Sequence, residues 1–291
     1  MKPVRSLLFV PGHKLDWIHK ALASEADAII IDLEDAVPAG EKETARRNLA
    51  EVLPCIDRER VTVLVRPNAL DTEHFGLDVA AATRAGLSAL LLPKLFGRDD
   101  VVRYDALVTA AEIAASLPRG YVELVPSLET ARSISLVDEI LAAPRVGGVM
   151  AAAAKDADVS REVGFTWTPG GAESLYLRSK VVVAARAAGL RCIVLGLWQD
   201  VRDLDGLRTF AQDNSGLGYT GQVIIHPSHA PVVNQEYSLG ERQIAYYRGL
   251  IAAFEEGESQ GHGAVSYDGE HIDLAHANHA RQALALAGLN H

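Results

Sequence analysis

Ala28-Ile29-Ile30-Ile31-Asp32-Leu33-Glu34-Asp35 is an apolar, β-branched run that stops in acids. Three consecutive isoleucines leave no polar face, which is the pattern of a strand covered on both sides. The same grammar recurs along the chain. Residues 6–10 stop at Pro11-Gly12, 61–65 at Arg66-Pro67-Asn68, and 89–92 at Pro93-Lys94. Residues 122–125 lead to Glu129, 148–152 to Lys155 and Asp158, 192–195 to Trp198 and Asp200, and 223–225 to His226-Pro227. Ala- and Leu-rich stretches with helical spacing lie between them, at 44–53, 77–85, 104–116, 131–142 and 174–188. Eight such runs fit either a closed (β/α)8 TIM barrel or an open doubly wound sheet. The count of eight and the length of 291 residues favour the barrel. So do the charged residues and histidines just beyond most of the runs, because barrel enzymes build their sites at the C-terminal strand ends.

Past His226 the pattern changes. Residues 239–256 read as an amphipathic helix and 257–263 as a linker. Residues 264–267 and 271–272 flank Asp268-Gly269 as a small hairpin, and 274–287 form a last helix. The expected organisation is a barrel over 1–235 and a C-terminal helix-hairpin-helix extension over 236–291, packing on the barrel or on a neighbouring subunit.

Composition narrows the function. Lys and Arg total 28 against 38 Asp and Glu, a net charge of −10, which argues against a nucleic-acid footprint. The two cysteines, Cys55 and Cys192, cannot form a disulfide scaffold. No apolar run approaches a membrane span, and the residues before Pro11-Gly12 are too few for a signal-peptide core. A cytoplasmic protein without a membrane partner is expected.

Gly216-Leu217-Gly218-Tyr219-Thr220-Gly221 matches a dinucleotide fingerprint on paper, but a strand follows it where the motif needs a helix. His271, His276 and His279 lack the further partners a zinc site needs and read as surface residues. Asp32 and Glu34 face the same way if the strand runs through Glu34, and two such carboxylates repel unless a cation intervenes. Arg66, at the end of the next strand, supplies one, in either a structural ion-pair layer or a working site. Glu129 and Asp158 follow the fifth and sixth strands. Two carboxylates with waters and substrate oxygens suit Mg²⁺.

Taken in order, Arg5-Ser6-Leu7-Leu8-Phe9-Val10-Pro11-Gly12, Asp32-Leu33-Glu34-Asp35-Ala36-Val37, Val65-Arg66-Pro67-Asn68, Leu92-Pro93-Lys94, Leu128-Glu129-Thr130-Ala131 and Ile225-His226-Pro227 resemble the citrate lyase β-subunit-like family of the HpcH/HpaI aldolase group. The resemblance runs from Arg5 to about Asp273. It implies a Mg²⁺-dependent (β/α)8 barrel, usually a trimer. Such enzymes cleave or form a carbon–carbon bond in acyl-CoA thioesters such as citryl-, malyl- or citramalyl-CoA, giving a 2-oxo acid and an acyl-CoA. Some relatives hydrolyse the thioester instead. A CoA-independent 2-oxo-acid aldolase and a non-catalytic ligand-binding or partner subunit are the other readings.

Carried over by position, Glu129 and Asp158 are metal ligands and Arg66 is both catalytic and substrate-binding. Asp32 and Glu34 form the acidic cluster behind the metal, and Pro93 and Lys155 contact substrate. Asp273 is the proton-transfer group, reaching a neighbouring subunit's barrel mouth; read from the residues alone, it is equally an N-cap for the last helix. Two stretches depart from the family pattern. Lys155 stands where a glycine is usual, and Leu195-Gly196-Leu197-Trp198 replaces a segment that often carries an acid.

Overall fold

The three isoleucines divide between two cores. Side chains alternate along a strand, so Ile30 joins Leu7, Leu64 and Leu91 inside the barrel, while Ile29 and Ile31 pack outward with Leu49 and Val63 beneath the helices. The computed structural model describes residues 1–151 and 154–289. Its strands are β1 (Ser6–Pro11), β2 (Ala28–Asp32), β3 (Thr62–Arg66), β4 (Ala89–Leu92), β5 (Glu123–Leu128), β6 (Gly148–Ala151), β7 (Cys192–Leu195) and β8 (Gly221–Ile224). They pair in parallel in sequence order, and β8 returns to β1 with Ser6 opposite Gln222 and Leu8 opposite Ile224. This is the closed (β/α)8 barrel. The sixth apolar run of the sequence extends to Ala152; Ala152 and Ala153 lie outside the described residues.

The same alternation aims the chemistry. Asp32 has the parity of Ile30, Arg66 that of Leu64, and Ser127 and Glu129 that of Val125, so strands whose middles fill the barrel end in polar side chains at its C-terminal mouth.

Several element boundaries differ from the sequence reading. β2 ends at Asp32 rather than running through Glu34, because the Asp32 carboxylate accepts the backbone N–H groups of Glu34 (3.0 Å) and Ala36 (2.9 Å) and turns the chain. The helix expected from residue 104 begins six residues earlier, as Arg98–Ala114. Its first turn carries Asp99 and Asp100, which suit a helix N-terminus but hide it from an apolar periodicity. The helix expected over 131–142 divides at Leu136 into Ala131–Ser135 and Val137–Leu141. Gly218, at φ +102°, ends the helix Leu204–Leu217, and β8 follows. The glycine-rich stretch is thus a helix end and a strand start, not a nucleotide cradle.

The chain forms two compact units, Met1–Tyr237 and Ser238–His291. In the second, the helix Glu241–Ser259 continues into the expected linker, because Gly257 is buried against Val265 of the hairpin. The hairpin pairs β9 (Ala264–Tyr267) with β10 (Glu270–Asp273). Its turn residues Asp268 and Gly269 both have positive φ, as a tight hairpin turn requires. The helix Leu274–Leu286 completes a small core around Leu250, Phe254, Ile272 and Leu284. His271, His276 and His279 are exposed. Among the described residues, no helix is long and apolar enough to cross a membrane.

Candidate active site

Asp32 and Arg66 are direct neighbours across β2 and β3. Arg66 grips Asp32 with two parallel bonds, Nε to Oδ1 at 2.7 Å and Nη2 to Oδ2 at 2.8 Å. Such fork pairing is the strongest geometry available to a carboxylate. Asp32 is fully buried. Burial pushes its carboxyl up, but the hydrogen bonds and charge of Arg66, with the N–H groups of Glu34 and Ala36, outweigh it and hold the group below the usual carboxylate range. Arg66 Nη1 lies 3.2 Å from Glu34 Oε2, and the guanidinium stacks on the Phe9 ring at 4.8 Å. Glu34 is also buried, and its Oε1 is 2.8 Å from Lys94 Nζ. Burial prevails there and raises the Glu34 carboxyl despite both cations. The acidic cluster is therefore an ion chain: Asp32, Arg66, Glu34, Lys94.

Behind it sits a buried lysine. Lys42, in the first turn of the helix Lys42–Val52, donates to Leu33 O (2.6 Å), Glu34 O (2.7 Å) and Asn68 Oδ1 (2.7 Å). Asn68 in turn donates to Leu33 O and to Asp78, and Asp78 is paired with Arg46. The loops after β2 and β3 are thus joined through one ammonium.

In front lies a cavity of about 510 Å³ at the C-terminal strand ends. Glu129, Asp158 and Lys94 all line it, with Asp71, Asp100 and Arg103. Glu129 is buried and accepts a 2.6 Å bond from Ser127 Oγ. Burial raises its carboxyl above the usual range, against the pull of Ser127, Arg66 and the Lys94 backbone N–H. Asp158 opens the helix Asp158–Val163, is half-exposed, and is ion-paired with Arg161 one turn on. Among the described residues, no group of three or more His, Cys, Asp or Glu gathers as a ready metal cage.

The remaining sequence candidates lie elsewhere. Pro93 is buried, and its neighbour Lys94 is the one that lines the cavity. Lys155 is exposed in the turn before Asp158, where its carbonyl accepts a 2.7 Å bond from Gln199. Trp198 is buried between Trp167 and Phe210. Asp273, in the second unit, caps the helix Leu274–Leu286, accepting from the N–H groups of Ala275 and His276. Sequence reasoning passed over Lys94, Lys42 and Asp78. The signal for Lys94 was its place directly after a strand; that for Lys42 was its place in the loop-to-helix step that follows the acids.

A closed barrel with carboxylates and a lysine around a cavity at its C-terminal face defines a (β/α)8-barrel enzyme. The chain belongs to the HpcH/HpaI aldolase/citrate lyase family, whose model matches residues 5–227. It is 35% identical over 285 residues to a (3S)-malyl-CoA thioesterase of Cereibacter sphaeroides, covering 98% of this chain and 95% of that one. It is 31% identical to the citrate lyase subunit beta of Leuconostoc mesenteroides, covering 99% and 94%. Among solved structures it resembles the protein CitE of Mycobacterium tuberculosis in complex with magnesium, acetoacetate and coenzyme A. That likeness has a TM-score of 0.77 and 29% identity, and covers 99% of this chain and 98% of that one.

Proposed function

We propose that this chain is a Mg²⁺-dependent lyase that cleaves or forms a carbon–carbon bond in a short β-hydroxyacyl-CoA, giving a 2-oxo acid and an acyl-CoA. The observation that carries this reading is the sharing of one cavity by Glu129 and Asp158 beside the Arg66 ion chain. The residues fit the ion. Mg²⁺ keeps several waters and takes one or two protein carboxylates, so two acids at an open cavity suffice. Glu129 is buried and forms no direct ion pair among the described residues, which a divalent ion would remedy. Glu129 and Asp158 would hold the ion, which would supply Lewis-acid activation of the substrate hydroxyl.

The protein's own residues do the rest. In the cleavage direction the hydroxyl gives its proton to solvent water, the Cα–Cβ bond breaks, and its electrons pass to the thioester as an enolate that is then protonated at carbon. Arg66 remains charged at every working pH. Its guanidinium, held in one orientation by Asp32 and Glu34, faces the growing enolate charge. Asp273 of a neighbouring subunit transfers the proton at carbon, in a homo-oligomer such as a trimer.

A second reading is thioester hydrolysis, favoured by the 35% identity to a malyl-CoA thioesterase. Incubation with Mg²⁺ and malyl-, citramalyl- and citryl-CoA, followed by mass analysis, separates the two. A lyase yields a 2-oxo acid and a shorter acyl-CoA; a thioesterase yields free CoA and an intact hydroxy acid. No turnover of any thioester overturns both.

Glu129→Ala and Asp158→Ala are each expected to weaken Mg²⁺ binding at least about tenfold by calorimetry. Wild-type affinity is expected to fall as the pH is lowered, since burial raises the Glu129 carboxyl and a protonated carboxyl cannot hold the ion. Unchanged affinity in both variants overturns the ligand assignment. Mixed oligomers of inactive Asp273→Ala and Glu129→Ala subunits are expected to regain activity. Confirmed mixed oligomers without recovery leave Asp273 as a helix cap alone.

A further inference from the structure

Strand β5 and the residue just past it turn Val125, Ser127 and Glu129 towards the barrel interior in succession. Apolar side chains ordinarily fill such an interior, and Met150, the partner of Ser127 on β6, belongs to that apolar set. Ser127 is fully buried. A hydroxyl there costs stability unless it is bonded, and a serine has a single proton to give. Among the described residues that proton goes to Glu129 Oε1, at 2.6 Å, and to no backbone carbonyl.

This bond divides the two oxygens of Glu129. Oε1 is engaged by Ser127 from the barrel side, while the residue lines the cavity. Oε2 accepts from no side chain among the described residues. The backbone N–H of Lys94 donates to the same carboxylate, and Glu129 is buried, so the group has little freedom to turn. Asp158 is the opposite case: it is half-exposed and paired with an exposed Arg161. Glu129 is therefore the rigid acid of the two, with one oxygen already spoken for.

We infer that Ser127 sets the cation preference of the site: by holding Oε1 it makes Glu129 a one-oxygen ligand, which favours Mg²⁺ over Ca²⁺. Mg²⁺ demands near-octahedral geometry at about 2.0–2.1 Å and keeps several waters beside one or two carboxylates. Ca²⁺ takes about six to eight oxygens at about 2.3–2.6 Å and accepts both oxygens of one carboxylate. A carboxylate with one oxygen engaged serves the smaller ion and denies the larger its two-oxygen grip. Ser127 does not line the cavity and acts only through Glu129, so it is a positioning residue. This rests on the reading of Glu129 and Asp158 as the Mg²⁺ ligands.

The probes are the two metals alone, as their chlorides, titrated by calorimetry into wild type, Ser127→Ala, Ser127→Thr and Ser127→Val. Thr keeps the hydroxyl, and Val has the shape of Thr without it, so that pair isolates the hydrogen bond at constant volume. The quantity read is the ratio of Mg²⁺ to Ca²⁺ affinity. Loosening of the strand, or altered protonation of Glu129, moves both ions alike and cancels in the ratio. Ser127→Ala is expected to lower the ratio about five- to tenfold, as Oε1 becomes free for the larger ion. Ser127→Val is expected to follow Ser127→Ala, and Ser127→Thr to stay within about twofold of wild type. A ratio unchanged in Ser127→Ala, with Mg²⁺ and Ca²⁺ weakened equally or not at all, overturns the inference and leaves the metal assignment standing. So do equal ratios in Ser127→Thr and Ser127→Val. If the larger side chains unfold the barrel, Ser127→Ala decides by itself. Absence of Mg²⁺ binding by wild type overturns both the inference and the metal assignment.

Discussion

Arg66→Met is expected to cost about 3–5 kcal/mol of folding stability and to lower turnover by roughly 10²–10³-fold. The stability term comes from what the substitution leaves behind. Asp32 is fully buried and Glu34 nearly so, and Arg66 is the cation between them. Removing one partner of a buried pair strands the other charge, which costs far more than the pair itself is worth. The turnover term comes from the lost guanidinium at the enolate. The double variant Arg66→Met/Asp32→Asn separates the two: it is expected to recover part of the stability and none of the activity.

The pH dependence carries a sign that can be checked. In wild type the Asp32 carboxyl is held below its ordinary value, so its contribution to stability is present above that value and is lost as the pH falls through the folded one. Without Arg66, burial prevails and the folded value rises. Stability of Arg66→Met is then expected to increase as the pH is lowered from 8 towards 5, relative to the double variant, in urea unfolding. Parallel profiles for the single and double variants would mean that Asp32 does not carry the effect.

The barrel was legible because its strands are buried on both faces and each stops at a polar residue, a pattern that survives in a single sequence. Placement of Asp32 and Arg66 in the mouth followed from strand parity and neighbouring order alone. The turn after Asp32 was not legible as strand or loop, since the residue that ends the strand does so through its own side chain binding N–H groups ahead of it. Lys94 and Lys42 escaped for a different reason. A lysine is ordinarily a solvated surface residue, and only the tertiary fold brings Lys42 under the carbonyls of Leu33 and Glu34 or sets Lys94 beside Glu34. The split at Leu136 and the early helix start at Arg98 lie in polar or short segments where periodicity carries little information.

Lys42→Met is expected to lower stability by about 2–4 kcal/mol while leaving Mg²⁺ affinity unchanged. Methionine keeps the apolar stem that packs beneath the β2 loop and removes only the ammonium, so the loss reports the three hydrogen bonds. Their acceptors do not suffer equally. Leu33 O keeps a 2.9 Å bond from Asn68 Nδ2, and Glu34 O keeps one from the Val37 N–H at 3.1 Å. Asn68 Oδ1, buried, has no other hydrogen bond among the described residues. The main penalty is therefore one stranded amide oxygen plus two weakened carbonyls, offset in part by no longer burying an ammonium. Asn68→Leu in the Lys42→Met background removes that stranded oxygen, although it also removes the donors to Leu33 O and Asp78. Coupling between the two sites of at least about 1 kcal/mol is expected from a double-mutant cycle. Because Lys42 reaches Glu34 only through its backbone and does not line the cavity, the variant's activity is expected to fall through kcat more than through KM, as the Glu34–Arg66 geometry loosens. Additive energies at Lys42 and Asn68, or a loss confined to KM, would remove Lys42 from the positioning of the ion chain and leave it a buried lysine of purely local effect.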